Sequence, residues 1–306
     1  MSAERFVRLN IYVLFFFILS SFAGVPLLPL LSFFLIGAIS FNAFFKSWKS
    51  ARPSSTDTLI GWALFTIFAG IAWYWLPDIW VAPSQDDTLN HLGFLDAILH
   101  SHLALLGKIN RPGSDWFGES AYHFYPTGSH ALTALWIYPL SRLGFDWPKL
   151  FKAFQIVSLG LLPAFCWWAS LRAFPRIARE LRLFILVSAM TQMVFPLAAF
   201  GEGGSSRIFA LTLFVPLWFR FFEKGVGFRE GLAWSTVLAP TLLFIHPALL
   251  PLIALAILFS NRRAILGSVL GAPFGALIFY LILKSASQEV TAPGFLEALT
   301  GSLKHD

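Results

Sequence analysis

Residues 81–130 read VAPSQDDTLNHLGFLDAILHSHLALLGKINRPGSDWFGESAYHFYPTGSH. The stretch holds five of the chain's seven histidines, the pair Asp86–Asp87 and the run Tyr122-His123-Phe124-Tyr125-Pro126. Apolar segments long enough to cross a bilayer flank it on both sides. So many ionisable groups in one water-facing loop point to a site rather than a linker.

The surrounding composition sets the class. Hydrophobic residues make up 57% of the chain and charged residues 12%, and the mean hydropathy is +0.70. A soluble globular domain is excluded on those values. Apolar runs near 20 residues recur, and about 20 residues at 1.5 Å each span the hydrocarbon core. The net charge of +6 is therefore read loop by loop, as membrane orientation, and not as a footprint for nucleic acid. Cys166 is the only cysteine, so no intrachain disulfide can form. The basic, apolar N-terminus is read as a retained anchor, not a cleaved leader.

Working outward, Phe6–Phe22 and Leu27–Phe45 form a hairpin broken at Gly24-Val25-Pro26. Arg5 and Arg8 precede it, and Lys46, Lys49 and Arg52 follow it, so both hairpin ends are assigned to the cytoplasm. Thr58–Leu76 crosses outward and leaves Asp86–Asp87 on the far side. Leu92, Leu95, Leu99, Leu103 and Leu106 form one helical stripe over roughly 87–107. That helix is too polar to span and suits the membrane plane. A second short helix runs from Ser129 to Leu143. If it also lies in the plane, Lys149–Leu171 crosses inward and Arg172, Arg176, Arg179 and Arg182 become cytoplasmic. Arg220, Lys224, Arg229, Arg262 and Arg263 then obey the same rule, and Lys149 and Lys152 are its exceptions. The expected architecture is an all-α polytopic membrane protein with about nine transmembrane helices and two in-plane helices in the first large outer loop. Its divisions are an N-terminal hairpin and loop (1–57), a transmembrane core (58–284) with outer loop 79–148, and a short outer tail (285–306).

Asp86 and Asp87 open the first in-plane helix. One reading makes them a helix cap. The other makes one carboxylate a general base while its neighbour holds a divalent cation, since hard cations take carboxylate oxygens and bridge phosphate. His91 lies one turn after Asp87 and can approach the same point. His123, Tyr125 and His130 surround the start of the second helix, where an N-terminus suits a phosphate; an aromatic interface anchor is the other reading of Tyr122, Phe124 and Tyr125. Glu202 is the acid of the outer loop 201–206, and Arg207 follows at the mouth of the next helix. His246 falls at the end of an apolar run, where an ionisable group is costly; its alternative is a bond to a carbonyl freed by Pro247.

These features in this order resemble the first outer loop of GT-C-type glycosyltransferases. That group includes the lipid A aminoarabinose transferases, the protein O-mannosyltransferases and the mycobacterial arabinosyltransferases. The resemblance rests on Asp86-Asp87-Thr88, the amphipathic helix, Tyr122-His123-Phe124-Tyr125-Pro126 and the helix ending Leu143-Gly144-Phe145. A group of large bacterial membrane proteins is similar also at Tyr125-Pro126 with His130, at Phe195-Pro196 before Gly201, and at His246-Pro247. The resemblance implies a GT-C-like helical bundle and inverting transfer of a sugar from a polyprenyl-phosphate donor at the outer leaflet. Asp86 would activate the acceptor and Glu202 would supply a second acid. His123, Arg207 and His246 would steady the lipid phosphate. A magnesium, manganese or calcium ion would be held by Asp87, His91 and Glu202. The expected setting is the bacterial inner membrane, with the site facing the periplasm or exterior and membrane lipid as a partner. Many relatives carry a lysine where this chain has His123, and an additional outer domain. The expectation is a minimal form, a fragment, or a chain whose partner subunit supplies that domain. The competing class is a non-catalytic scaffold or carrier in glycan or lipid export. Gln155, Thr191, Gln192 and His246 are too scattered for a carrier's path.

Overall fold

Within a bilayer an α-helix satisfies every backbone polar group internally, and the apolar runs of this chain take that form. The computed structural model describes residues 3–49, 56–75, 86–104, 127–191, 204–221, 226–246 and 249–286, and these contain helices and no strand. In order they are α1 (Ala3–Phe22), α2 (Leu28–Lys49), α3 (Thr56–Trp75), α4 (Asp86–Ser101), α5 (Gly128–Arg142), α6 (Trp147–Ala173), α7 (Arg179–Ala189), α8 (Gly204–Phe221), α9 (228–245), α10 (Leu250–Leu258) and α11 (Arg262–Ala286). A π-helical turn, Trp234–Leu238, interrupts α9.

Four described helices are long and apolar enough to cross a membrane: α1, α3, α6 and α11. That is fewer than the roughly nine crossings expected from apolar run length. Counting apolar residues joins segments that the backbone separates. Helix α10 has nine residues, only about 13 Å of rise.

One end of the bundle gathers charge. Glu4, in the first turn of α1, meets Arg8 at 3.0 Å, Arg172 at the end of α6 at 3.6 Å and Arg220 at the end of α8 at 3.7 Å. Arg8 reaches Glu230, at the start of α9, at 2.6 Å. Arg179 pairs with Asp57 at the start of α3 at 2.9 Å. Asn261, which precedes α11, donates from Nδ2 to the Val226 carbonyl. The starts of α1, α3, α7, α9 and α11 and the ends of α6 and α8 therefore share this end. The described arginines that the charge rule groups together stand here. The exceptions stand at the opposite end of α6, where Lys149 meets Asp146 at 3.4 Å and Lys152 lies 5.9 Å from the Trp73 ring centre.

Helix α3 packs antiparallel to α6. Gly61 receives the Trp168 ring and Gly160 receives the backbone of Phe65. Helices α9 and α11 run parallel at backbone contact along Gly267, Gly271 and Gly275. A Cβ on Gly267 would stand 2.1 Å from the Phe228 carbonyl oxygen. Small residues at this four-residue spacing let membrane helices approach closely.

Both ends of α5 lie at the end of the bundle away from the charges. Thr127, just before it, donates to the Ala104 carbonyl at 2.7 Å, and the Ala104 N–H donates to Ser21 in the last turn of α1 at 2.6 Å. At its other end only residues 143–146 separate α5 from α6, which carries Arg172 to the charged end. So α5 does not cross. It lies across the bundle, with Ser32 of α2 donating to the Leu135 carbonyl at 2.5 Å.

Two boundaries differ from expectation. The first in-plane helix stops at Ser101 and not near 107, because His102 takes a left-handed backbone (φ 59°). Its buried side is Leu92, Phe94, Leu95 and Ile98, so Phe94 and Ile98 join the expected stripe; Leu103 is half-buried beyond the helix end and Leu106 lies outside the described residues. Helix α5 runs Gly128–Arg142, one residue earlier at each end than the expected Ser129–Leu143. The turn expected at 110–113 and the tail beyond residue 286 lie outside the described residues.

Candidate functional site

The polar end of α5 is where sequence-predicted residues meet. Gly128 presses on the last turn of α9: a Cβ there would stand 2.7 Å from the Phe244 carbonyl oxygen and 2.8 Å from the Ile245 nitrogen. Only glycine permits that approach. His130 is two residues past this contact and His246 is one residue past Ile245, so one backbone contact sets both histidines in one neighbourhood. His130 is buried, its ring 5.2 Å from that of Phe94 on α4, and its Nδ1 stands 3.3 Å from Ser129 Oγ. His246 ends α9 in an extended conformation (φ −158°, ψ 116°), as a residue before proline is pushed to do. Its N–H donates to the Leu242 carbonyl at 2.9 Å and its carbonyl accepts from Leu249 at 3.2 Å.

Asp86 is the first described residue of α4, and the residues before it lie outside the described ones. Asp86 is eight residues before Phe94, about 12 Å along the axis. Asp87 and His91 occupy the first two turns of the same helix, and Arg207 the first turn of α8. The α8 start lies away from the charged end, because its last turn carries Arg220 to Glu4. The side chains of Asp86, Asp87, His91 and Arg207, and the whole of His123, Tyr125 and Glu202, fall outside the described residues. Among the described residues no three of His, Cys, Asp and Glu gather as a metal site would need. The expected Asp87, His91 and Glu202 set therefore has no described geometry. His100 is an exposed residue paired with Asp96 at 3.2 Å. His102 instead stands edge-on to Tyr138, ring centres 5.3 Å apart.

Two features escape a reading by motif. Asn10, inside α1, accepts from Trp136 Nε1 at 2.8 Å and donates to the Phe6 carbonyl at 2.8 Å. The rule that flagged His246, a polar group within an apolar run, flags Asn10 equally. Beside this pair a cavity of about 240 Å³ lies between α1, α5, α6 and α8, lined by Phe6, Trp136, Leu140, Leu150, Val157 and Phe165 among others. Its α6 wall runs from Leu150 to Phe165, about 22 Å of helix. The hydroxyls of Ser158 and Thr212 in this wall are spent on the carbonyls of Phe154 and Ser158, so the cavity presents mainly hydrocarbon. Leu140 and Val157 are each 41% exposed at its edge.

No known protein family, no characterised protein and no solved structure matches this chain.

Proposed function

We propose that the chain is a membrane-embedded glycosyltransferase of GT-C type, moving a sugar from a polyprenyl-phosphate donor to an acceptor on the outer face of the membrane. The observation that carries this reading is the dual setting of α5. Its first turn holds His130 against Phe94 and the end of α9, and its last turns wall the elongated apolar cavity. A lipid-linked sugar needs that pair of surroundings: a polar place for the phosphate at headgroup depth and an apolar slot for the isoprenoid.

In this reading the charged end faces the cytoplasm, and α4 and α5 lie at the outer leaflet. Helices α2, α8 and α9, of 22, 18 and 18 residues, and the segments that contain the shorter α7 and α10 join α1, α3, α6 and α11 to complete about nine passes. Asp86 takes the proton of the acceptor hydroxyl as its oxygen attacks the anomeric carbon. The bond from that carbon to the phosphate oxygen breaks with inversion, and the electron pair leaves on the phosphate. His123, Tyr125, His130, Arg207 and His246 are the groups that would bind the donor, and positive or donor groups there favour the transition state as charge builds on the leaving phosphate. Asp87, His91 and Glu202 are the residues that would hold a divalent cation, which would supply charge neutralisation at that phosphate.

The test uses the purified chain in liposomes with sugar-charged polyprenyl phosphates and a cell-envelope glycan and lipid extract as the source of acceptor hydroxyls, reading release of free polyprenyl phosphate by mass spectrometry. Asp86→Asn is expected to abolish release and leave the thermal midpoint unchanged. Retained turnover in that variant rejects the assignment, and an inactive wild type favours the scaffold.

A further inference from the structure

The basic run 172–182 has a role that the proposed chemistry does not use. Arg182, in the first turn of α7, is only 6% exposed. Its Nη2 donates to the carbonyls of Phe174 at 2.6 Å and Ile177 at 3.1 Å, which ties its guanidinium beneath the turn joining α6 to α7. Its Nε and Nη1 are buried without a hydrogen-bond partner, and no described carboxylate pairs with it. The Trp167 ring, 5.8 Å away, offers its face. Asp57, the acid on the neighbouring helix, is engaged by Arg179 at 2.9 Å. Glu180 is exposed on α7, and Glu4 is shared among Arg8, Arg172 and Arg220.

A guanidinium stays charged wherever it is put, so an uncompensated one below a turn raises the potential at the turn's surface. That surface also carries Arg176, which is exposed, and the half-exposed Arg172 and Arg179. The helix that follows is turned inside out for water: Leu181, Phe184 and Ile185 are 53%, 69% and 53% exposed while Arg182 faces the protein. An outward apolar face is at home in acyl chains, and it leads away from the charged end.

We propose that the α6–α7 turn binds one anionic phospholipid, its headgroup phosphate over Arg176 and Arg179 above the buried Arg182 and its acyl chains along Leu181, Phe184 and Ile185. Charge complementarity selects the anionic headgroup, since a zwitterionic one brings its own cation to a surface already positive.

The experiment is native mass spectrometry of the delipidated full chain. It is titrated with phosphatidylglycerol, with phosphatidylcholine of the same acyl chains, and with inorganic phosphate. Phosphatidylglycerol is expected to bind at least tenfold more tightly than phosphatidylcholine, and millimolar phosphate not to compete. Arg176→Gln is expected to weaken it at least threefold and Arg182→Gln further, with Arg176→Lys restoring most of the loss. Arg263→Gln, exposed at the same end, is expected to change nothing. Equal affinity for the two lipids overturns the proposal, as does competition by free phosphate. An Arg263→Gln loss matching that of Arg176→Gln also overturns it, because diffuse charge would then suffice. If Arg182→Gln does not fold, the Arg176 variants still decide.

Discussion

At the scale of single residues, Glu4 is the described carboxylate that meets three arginines at once. It is half-buried and faces Arg8, Arg172 and Arg220. Removing its charge leaves three guanidiniums close together with only Glu230 opposite. Glu4→Gln is expected to cost about 1–2 kcal/mol, above an exposed pair and below a fully buried one. Thermal unfolding in detergent checks this, and the loss should shrink when Arg220 is already replaced by Gln. His102 poses the reverse case, a backbone cost borne by one residue. With φ at 59°, a β-branched side chain there meets its own carbonyl, so His102→Val should lose about 1–2 kcal/mol. His102→Gly should stay within about 0.5 kcal/mol of wild type, trading the Tyr138 edge contact for an unstrained backbone. Histidine at 102 carried no such signal in the sequence. The leucine spacing continues through it in the sequence, and only the left-handed backbone at 102 ends the helix there.

At the scale of elements, the α9–α11 pair is held by the absence of side chains. A Cβ on Gly275 would stand 2.0 Å from the Ser235 carbonyl oxygen, and one on Gly231 would stand 1.9 Å from that of Ala264. Gly267→Ala and Gly275→Ala are each expected to destabilise by about 1–3 kcal/mol, since two backbones must part. Gly37→Ala and Gly70→Ala meet nothing within 4 Å, and helix propensity should make them neutral or stabilising by up to about 1 kcal/mol. A matching loss in all four, by unfolding in mixed micelles, would show that the glycines act through the helix and not the interface. Helix α5 illustrates which elements could be read in advance. Its existence follows from the apolar run that forms it, and its course across one end of the bundle agrees with the charges that flank α6. Its burial does not follow, because it rests on single bonds to residues far away in sequence, Thr127 to Ala104, Ser32 to Leu135 and Trp136 to Asn10. Such pairs leave no periodic trace.

At the scale of the whole molecule, the placing of charge is what the amino-acid order conveys best. A guanidinium is costly in hydrocarbon, so the runs of arginine at 172–182 and 262–263 mark one end of the bundle before any packing is known. The candidate site is less legible. His130 and His246 come together through a glycine contact between α5 and α9, whereas the aspartates' link to them depends on where α4 lies, which no motif encodes. The sidedness can be measured with single cysteines in a Cys166→Ser background. Phe145→Cys and Asp146→Cys should react with an impermeant thiol reagent from one face of sealed vesicles. Arg176→Cys and Arg263→Cys should react only from the other. Labelling of all four from one face would mean that α6 does not cross.

The bond from Arg8 to Glu230 also has a consequence in time. The two are separated by 222 residues. At about 5–20 residues per second a ribosome needs roughly 10–45 s to deliver the second after the first. Throughout that interval Arg8 has only Glu4, one turn back in its own helix, to hold on to. Helix α1 is thus locked only after α9 has been made, and a nascent chain halted before α9 should leave α1 open to extraction or to insertase contact.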